Sequence, residues 1–557
     1  MALGEKRTQW QISQVSWTDW TAQDVYYWQE HSFQYAANIN TDDELHGIKL
    51  ANKAIQTSSY AKCNLVSLWD YGVMALPINW GTINRITCNW SSISSLGTAG
   101  SVSSAASSVP WVVFQDYFWW GINASGVTWL FKIQNWWSTQ SLIAPYDHAD
   151  YTDESIMTVD TTQPYMQGWV TALLNYNNTR LVVATGASAT SNAAIWVYYP
   201  ELERLYNKEH PWHEEITGKV GWKKVLEYEA WVTVVALTCT FEYLKVWAVD
   251  EGWNTKVYYY QGNNNLRSTF VYNIVDLTWE KVLHVYSING IDYFTTSIDW
   301  TDGYVNLNKM IWSVAVPLLH QRAWLTSLDI NTKAPYFVGP TGTSGAYKSG
   351  RFYIADAYGV FQFTYNPQWY DKGYMKWHLR NNKQVYGVCE NKWFLFVSYE
   401  DGCCAVRLYD TGKDWYQDEW VLISREYEWR EWGTFTKMLD EIRLNYEMNP
   451  NTSLNGSIDV YVSPNNLWTG TDPESDDWWY HVMHITQTNA NTRTEKSGLF
   501  NNLDDWDSAF KFDWQTLTYA IVIKVWEAIQ ATPIVRQIDI KYHVKDKTNN
   551  VYNIKNS

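Results

Sequence analysis

The chain has 557 residues, too many for one ordinary domain, and 58 acidic against 42 basic side chains give a formal net charge of −16. That balance argues against a protein that grips nucleic acid, where affinity comes mainly from Lys and Arg neutralising phosphates. The six scattered cysteines lack C-x-x-C spacing, so they suggest reduced thiols made in a reducing cytoplasm, with neither a disulfide framework nor a metal cluster.

Residues 1–60 are polar and rich in Gln and Asn, which predicts an extended N-terminal arm. The first eight residues have no apolar h-region, and no apolar run approaches the ~18 residues of a membrane span, so a soluble chain without a secretory leader is expected. From residue 61 short β-branched or aromatic runs alternate with turns of Gly, Asn and Asp, the pattern of consecutive antiparallel hairpins. The clearest pairs are 180–184 with 194–199, 244–249 with 256–260, 291–294 with 304–307, 351–354 with 360–365, and 393–398 with 405–409.

These hairpins begin roughly 45 to 60 residues apart, which predicts a β-propeller of five to seven blades over residues 61–428. The segments 147–167 and 201–221 are expected to be loops on a propeller face. Beyond residue 428 the rhythm changes to alternating strands without helices. This predicts a jelly-roll-like β-sandwich over 429–545 and a polar tail over 546–557. The expected fold class is all-β.

Tryptophan occurs 37 times against 29 glycines, and many of these tryptophans stand in turns. Trp253 lies between Gly252 and Asn254, and Trp300 follows Asp299. Trp468 stands in an Asn- and Gly-rich stretch, Trp506 stands between Asp505 and Asp507, and the doublets Trp136–Trp137 and Trp478–Trp479 are flanked by polar residues. Turns favour Gly or Asn because a positive φ costs a residue with a Cβ. The pattern therefore suggests that many UGA codons written as Trp are read as glycine. The alternative is an aromatic surface that stacks on sugars. Trp111, Trp212 and Trp377 stand where a genuine indole fits.

The propeller-like repeat is followed by 441–446, then 456–462, and the chain closes on 534–542. This order, after a polar arm leading into 45–50, resembles virion structural proteins of tailed bacteriophages in which a β-propeller carries a C-terminal β-sandwich. The resemblance implies a non-enzymatic part of a tail or neck (nozzle, hub or collar). It implies partners among other virion proteins and copies of the chain itself, and assembly in the host cytoplasm. Passage of phage DNA without specific binding and contact with a host surface are further implications. A UGA-glycine code agrees with it, since some bacterial lineages and their viruses read UGA that way.

Asp147, His148 and Asp150 form one cluster of possible acid–base groups, and His213, Glu214 and Glu215 form another; both are expected in solvated loops. His210 and His213 lack further metal ligands, and Asp299 and Asp302 do not fit a calcium loop. The Gly-rich stretch 339–345 precedes a strand rather than a helix, so it does not form a phosphate loop. No catalytic, cofactor-binding or metal-binding residue is therefore assigned, and no cofactor. The alternatives to a structural role are a receptor- or glycan-binding propeller and, less favoured, a propeller glycosidase or depolymerase.

Overall fold

The computed structural model describes most of residues 54–102, 109–134, 166–277 and 385–407, and elsewhere between Arg7 and Lys545 chiefly the strands. Among the described residues, seven four-stranded antiparallel sheets follow one another along the chain. Six are built in sequence order from residues 63–102, 111–143, 170–227, 233–277, 281–320 and 336–380. The seventh takes three strands from residues 385–407 and its fourth from Ile55–Thr57. First strands pack against one another from the second sheet to the seventh, the first strand of the seventh, Val385–Asn391, meets that of the first, Cys63–Ser67, and the first and second sheets share a buried core. The result is a closed β-propeller of seven blades.

The five hairpins expected from sequence are the second and third strands of blades three to seven. A repeated irregularity marks the first strands. The register shifts between Val170 and Ala172, Val234 and Ala236, Val282 and His284, and Val385 and Gly387. One extra residue at this point bends the strand and increases its twist. Its recurrence after a buried valine is the internal repeat that the degenerate sequence conceals.

The core lies between blades rather than within them. Val66, Met74 and Leu76 of blade one pack with Phe118, Trp120 and Phe131 of blade two. Trp119 and Leu130 of blade two join Val183, Trp196 and Trp222 of blade three. Trp247 and Val257 of blade four meet Val282 and Phe294 of blade five. Each fully buried Val, Leu or Phe contributes about 1.5–3 kcal/mol relative to exposure. Blades four and five also share a buried ion pair, Lys245 Nζ to Asp292 Oδ2 at 2.6 Å.

Closure of the ring depends on chain far from the last blade. Thr57, Gln56 and Ile55 pair with Cys403, Cys404 and Ala405. The Cys63 N–H donates to Ser398 Oγ at 2.9 Å, and Ser398 donates to the Tyr60 carbonyl at 2.9 Å. Asn391 Nδ2 donates to Ser67 Oγ at 2.9 Å. The backbones come so close that a Cβ on Gly387 would lie 2.4 Å from the Cys63 carbonyl oxygen, so only glycine fits there.

One expectation needs correction: part of the segment read as a loop after residue 200 is a helix, Pro200–Glu209, inserted between the third and fourth strands of blade three. Pro200 opens it, where a missing N–H costs nothing, and Glu201 and Glu203 complement the positive end of the helix dipole. Leu202 and Tyr206 bury themselves on the propeller, and Arg180 pairs with Glu201 at 2.6 Å. The helix is too short for its periodicity to stand out from the surrounding strands.

After Arg407 the chain enters a β-sandwich of two five-stranded sheets. One contains Thr436–Glu447, Thr494–Ser497, Asp513–Trp514 and Ile534–Lys545; the other contains Glu419–Ser424, Gly456–Pro464, Tyr480–Thr486 and Leu517–Val525. The strand Glu419–Ser424 already belongs here, so sheet membership changes ahead of residue 429. The segment read as an N-terminal arm completes both sheets. Arg7–Ile12 pairs with Ile534–Lys545, and Phe33–Ala37 pairs with Glu419–Ser424. The tail at 546–557 lies outside the described residues.

Candidate metal centre

Within the second sandwich sheet, Gly456–Pro464 pairs antiparallel with the edge strand Tyr480–Thr486. Side chains alternate across a strand, so Ser457, Asp459 and Tyr461 share one face while Ile458, Val460 and Val462 fill the core on the other. On a regular strand His481 and His484, three residues apart, would point to opposite faces. The register shift prevents this: Val460 pairs with Met483 and Tyr461 with His481, leaving Val482 as an extra residue. The bulge resets the alternation and brings both imidazoles to the face that carries Asp459.

There they converge. His481 Nε2 lies 2.9 Å from Asp459 Oδ1, and His484 Nδ1 lies 2.5 Å from the same oxygen. Ser457 Oγ donates to the other carboxylate oxygen at 2.6 Å. The Tyr461 ring stacks on His481, with centroids 4.5 Å apart and planes 18° from parallel. Beyond it Tyr461 donates to Glu474 at 3.3 Å, and Glu474 pairs with Lys524.

Burial works to raise the Asp459 carboxyl, but hydrogen bonds from His481, Ser457 and His484 outweigh it and hold the group below the ordinary carboxylate range. Asp459 is 4% exposed and His481 8%, whereas the His484 side chain is 45% exposed. The three ligand atoms lie within 4.8 Å of one another. Two imidazoles and a carboxylate, with one imidazole open to solvent, form a donor set suited to a divalent transition-metal ion. They also satisfy a buried carboxylate without a metal.

The sequence reading assigned no metal ligand, and these three residues were not singled out in it. The groups that it weighed lie outside the described residues: Asp147, His148, Asp150, His210, His213, Glu214, Glu215, Asp299, Asp302 and the stretch 339–345. All six cysteines carry free thiols. Four are buried at strand positions, and burial pushes the Cys63 thiol up to about 12, which makes it a poor nucleophile.

Eight of the described tryptophans fall into two groups; outside them, Trp111 is 39% exposed on a strand and Trp169 is half-buried. Trp119, Trp120, Trp196, Trp222 and Trp247 are at most 4% exposed on strands, and the indoles of Trp196 and Trp247 donate to Thr185 and Thr238. Trp80, Trp231 and Trp393 occupy turns or bends and are 72%, 69% and 55% exposed. Trp253, Trp300, Trp468, Trp506, Trp136, Trp137 and Trp478 lie outside the described residues, while Trp479 is buried. Beside Trp393 the left-handed conformation falls on Lys392, with φ 54°, and no described tryptophan has a positive φ. Exposure, not backbone strain, therefore separates the two groups.

No protein-family model matches the chain, and no curated protein matches it. Solved structures that resemble it include virginiamycin B lyase from Staphylococcus aureus, at 10% identity and a TM-score of 0.40, covering 64% of this chain and 99% of that one. BamB from Moraxella catarrhalis, also at 10% identity, gives a TM-score of 0.33 and covers 65% and 98% of the two chains. The Dos1 propeller, again at 10%, gives 0.34 and covers 72% and 96%.

Proposed function

We propose that the protein is a non-enzymatic structural component of a tailed-bacteriophage virion, in the tail or neck, working as a symmetric oligomer. A closed propeller followed by a sandwich suits a part that transmits force. The N-terminal segment adds strands to both sandwich sheets and closes the last blade, so backbone hydrogen bonds tie the two ends of the chain together. The strongly acidic composition suits a wall that passing DNA does not adhere to.

The observation that carries the oligomeric part is the outer strand of blade four, Thr269–Leu277. It is a sheet edge, and Phe270, Val271, Tyr272 and Ile274 on it are 61%, 48%, 61% and 50% exposed. An apolar edge of this kind favours pairing with another chain unless it is covered, and a neighbouring copy is the occupant assigned to it here. Electron microscopy of the purified full-length chain tests the reading. Rings or clusters of fixed rotational symmetry are expected, and a field of separate single chains would contradict it.

A glycan-binding role is the second reading, favoured by the exposed indoles of Trp80 and Trp231. It requires binding to a host polysaccharide that is lost in Trp80→Ala and Trp231→Ala. The virion reading expects no such loss, because it gives these side chains no binding role.

A further inference from the structure

We propose that Asp459, His481 and His484 bind one divalent first-row transition-metal ion of the zinc or nickel class, at the edge of the second sandwich sheet. This inference does not depend on the virion reading. The donor set selects the class of ion: imidazole nitrogen favours zinc, nickel, copper and iron, whereas calcium and magnesium take oxygen ligands.

The geometry needs little change to accept the ion. Metal–ligand bonds of about 2.0–2.2 Å place the donor atoms of a tetrahedral site about 3.3 Å apart. Asp459 Oδ1 now lies 2.9 and 2.5 Å from the two imidazole nitrogens because protons join them. An ion in place of those protons widens these two separations by less than about 1 Å, and the two imidazole nitrogens, within 4.8 Å of each other, draw together around it. His484, exposed at the surface, supplies the movement. Ligation uses the tautomer that carries its proton on the opposite ring nitrogen, Nδ1 in His481 and Nε2 in His484.

The surroundings are those of a supported site. Ser457 holds Asp459 Oδ2, which leaves Oδ1 for the metal. Tyr461 fixes the plane of the His481 ring. The solvent side, next to His484, admits the hydrated ion and leaves a coordination position for water. Bound there, the metal clamps the edge strand Tyr480–Thr486 to Gly456–Pro464 across the bulge.

The test uses the untagged full-length chain, freed of metal by chelation and titrated with Co(II) and then Zn(II). The expected result is one saturable site per chain, visible Co(II) ligand-field bands that Zn(II) removes and Mg(II) does not, and a higher melting temperature with Zn(II). His484→Ala, at an exposed position, abolishes the bands and weakens Zn(II) by about 100-fold or more, while Ser457→Ala weakens it by about 10-fold. A featureless Co(II) titration overturns the proposal, as does equal Zn(II) affinity in the wild type and His484→Ala. Either result would make the cluster a hydrogen-bond network only.

Discussion

Ser398 and Cys63 stand 335 residues apart in sequence, yet the Cys63 N–H donates to Ser398 Oγ at 2.9 Å in the buried junction between the last and first blades. The same hydroxyl donates to the Tyr60 carbonyl, so one side chain satisfies two backbone groups at the point where the ring closes. Ser398→Ala leaves both without this partner. It should cost about 1–3 kcal/mol and lower the melting temperature. The exposed Ser59→Ala should remain within about 0.5 kcal/mol of wild type.

Between blades four and five, Lys245 and Asp292 form an ion pair that is 6% and 0% exposed. Removing one charge strands the other in a buried junction. Lys245→Met should therefore destabilise by about 3–5 kcal/mol, whereas Lys245→Met with Asp292→Leu should recover most of that loss. Chemical denaturation of the three variants measures the difference.

His284 follows the bulge on the first strand of blade five, and burial pushes its imidazole down from 6.5 to about 4. The unfolded chain takes up this proton first as pH falls. The stability contribution is therefore complete above about pH 6.5, declines between 6.5 and 4, and is flat below 4, an effect of up to about 3 kcal/mol. Melting curves across that range should be less steep in pH for His284→Asn. An unchanged slope would show that the group does not titrate as described.

The two groups of tryptophans make separate predictions under the recoding reading. In the protein made by its own host, peptide mass spectrometry should find glycine at the exposed turn positions Trp80, Trp231 and Trp393. It should find tryptophan at the buried positions Trp120 and Trp247. In a protein made with the standard code, Trp231→Gly should change stability by no more than about 0.5 kcal/mol. Trp247→Gly should cost at least about 3 kcal/mol, because it empties a packed site between blades.

Much of the propeller was legible because a hairpin is local: residues 180–185 and 194–198 carry their own alternation and the turn between them. Blade one was not, because Ile93–Val102 is a run of Ser, Gly and Thr with little apolar signal. Strands that pair over long distances leave no local mark. Nothing within Ile55–Thr57 or Arg7–Ile12 shows that their partners lie hundreds of residues away. The metal centre was hidden by parity. Histidines at 481 and 484 belong to opposite faces of any regular strand, and only the bulge at Val482 brings them together on the Asp459 side.

The most direct test of the structural, assembling role is the mass in solution of the full-length chain by light scattering at micromolar concentration. A discrete oligomer is expected, shifted toward single chains by Phe270→Glu with Tyr272→Glu on the edge of blade four. A wild-type chain that has the mass of one copy at every concentration, and is unchanged by those substitutions, would contradict it.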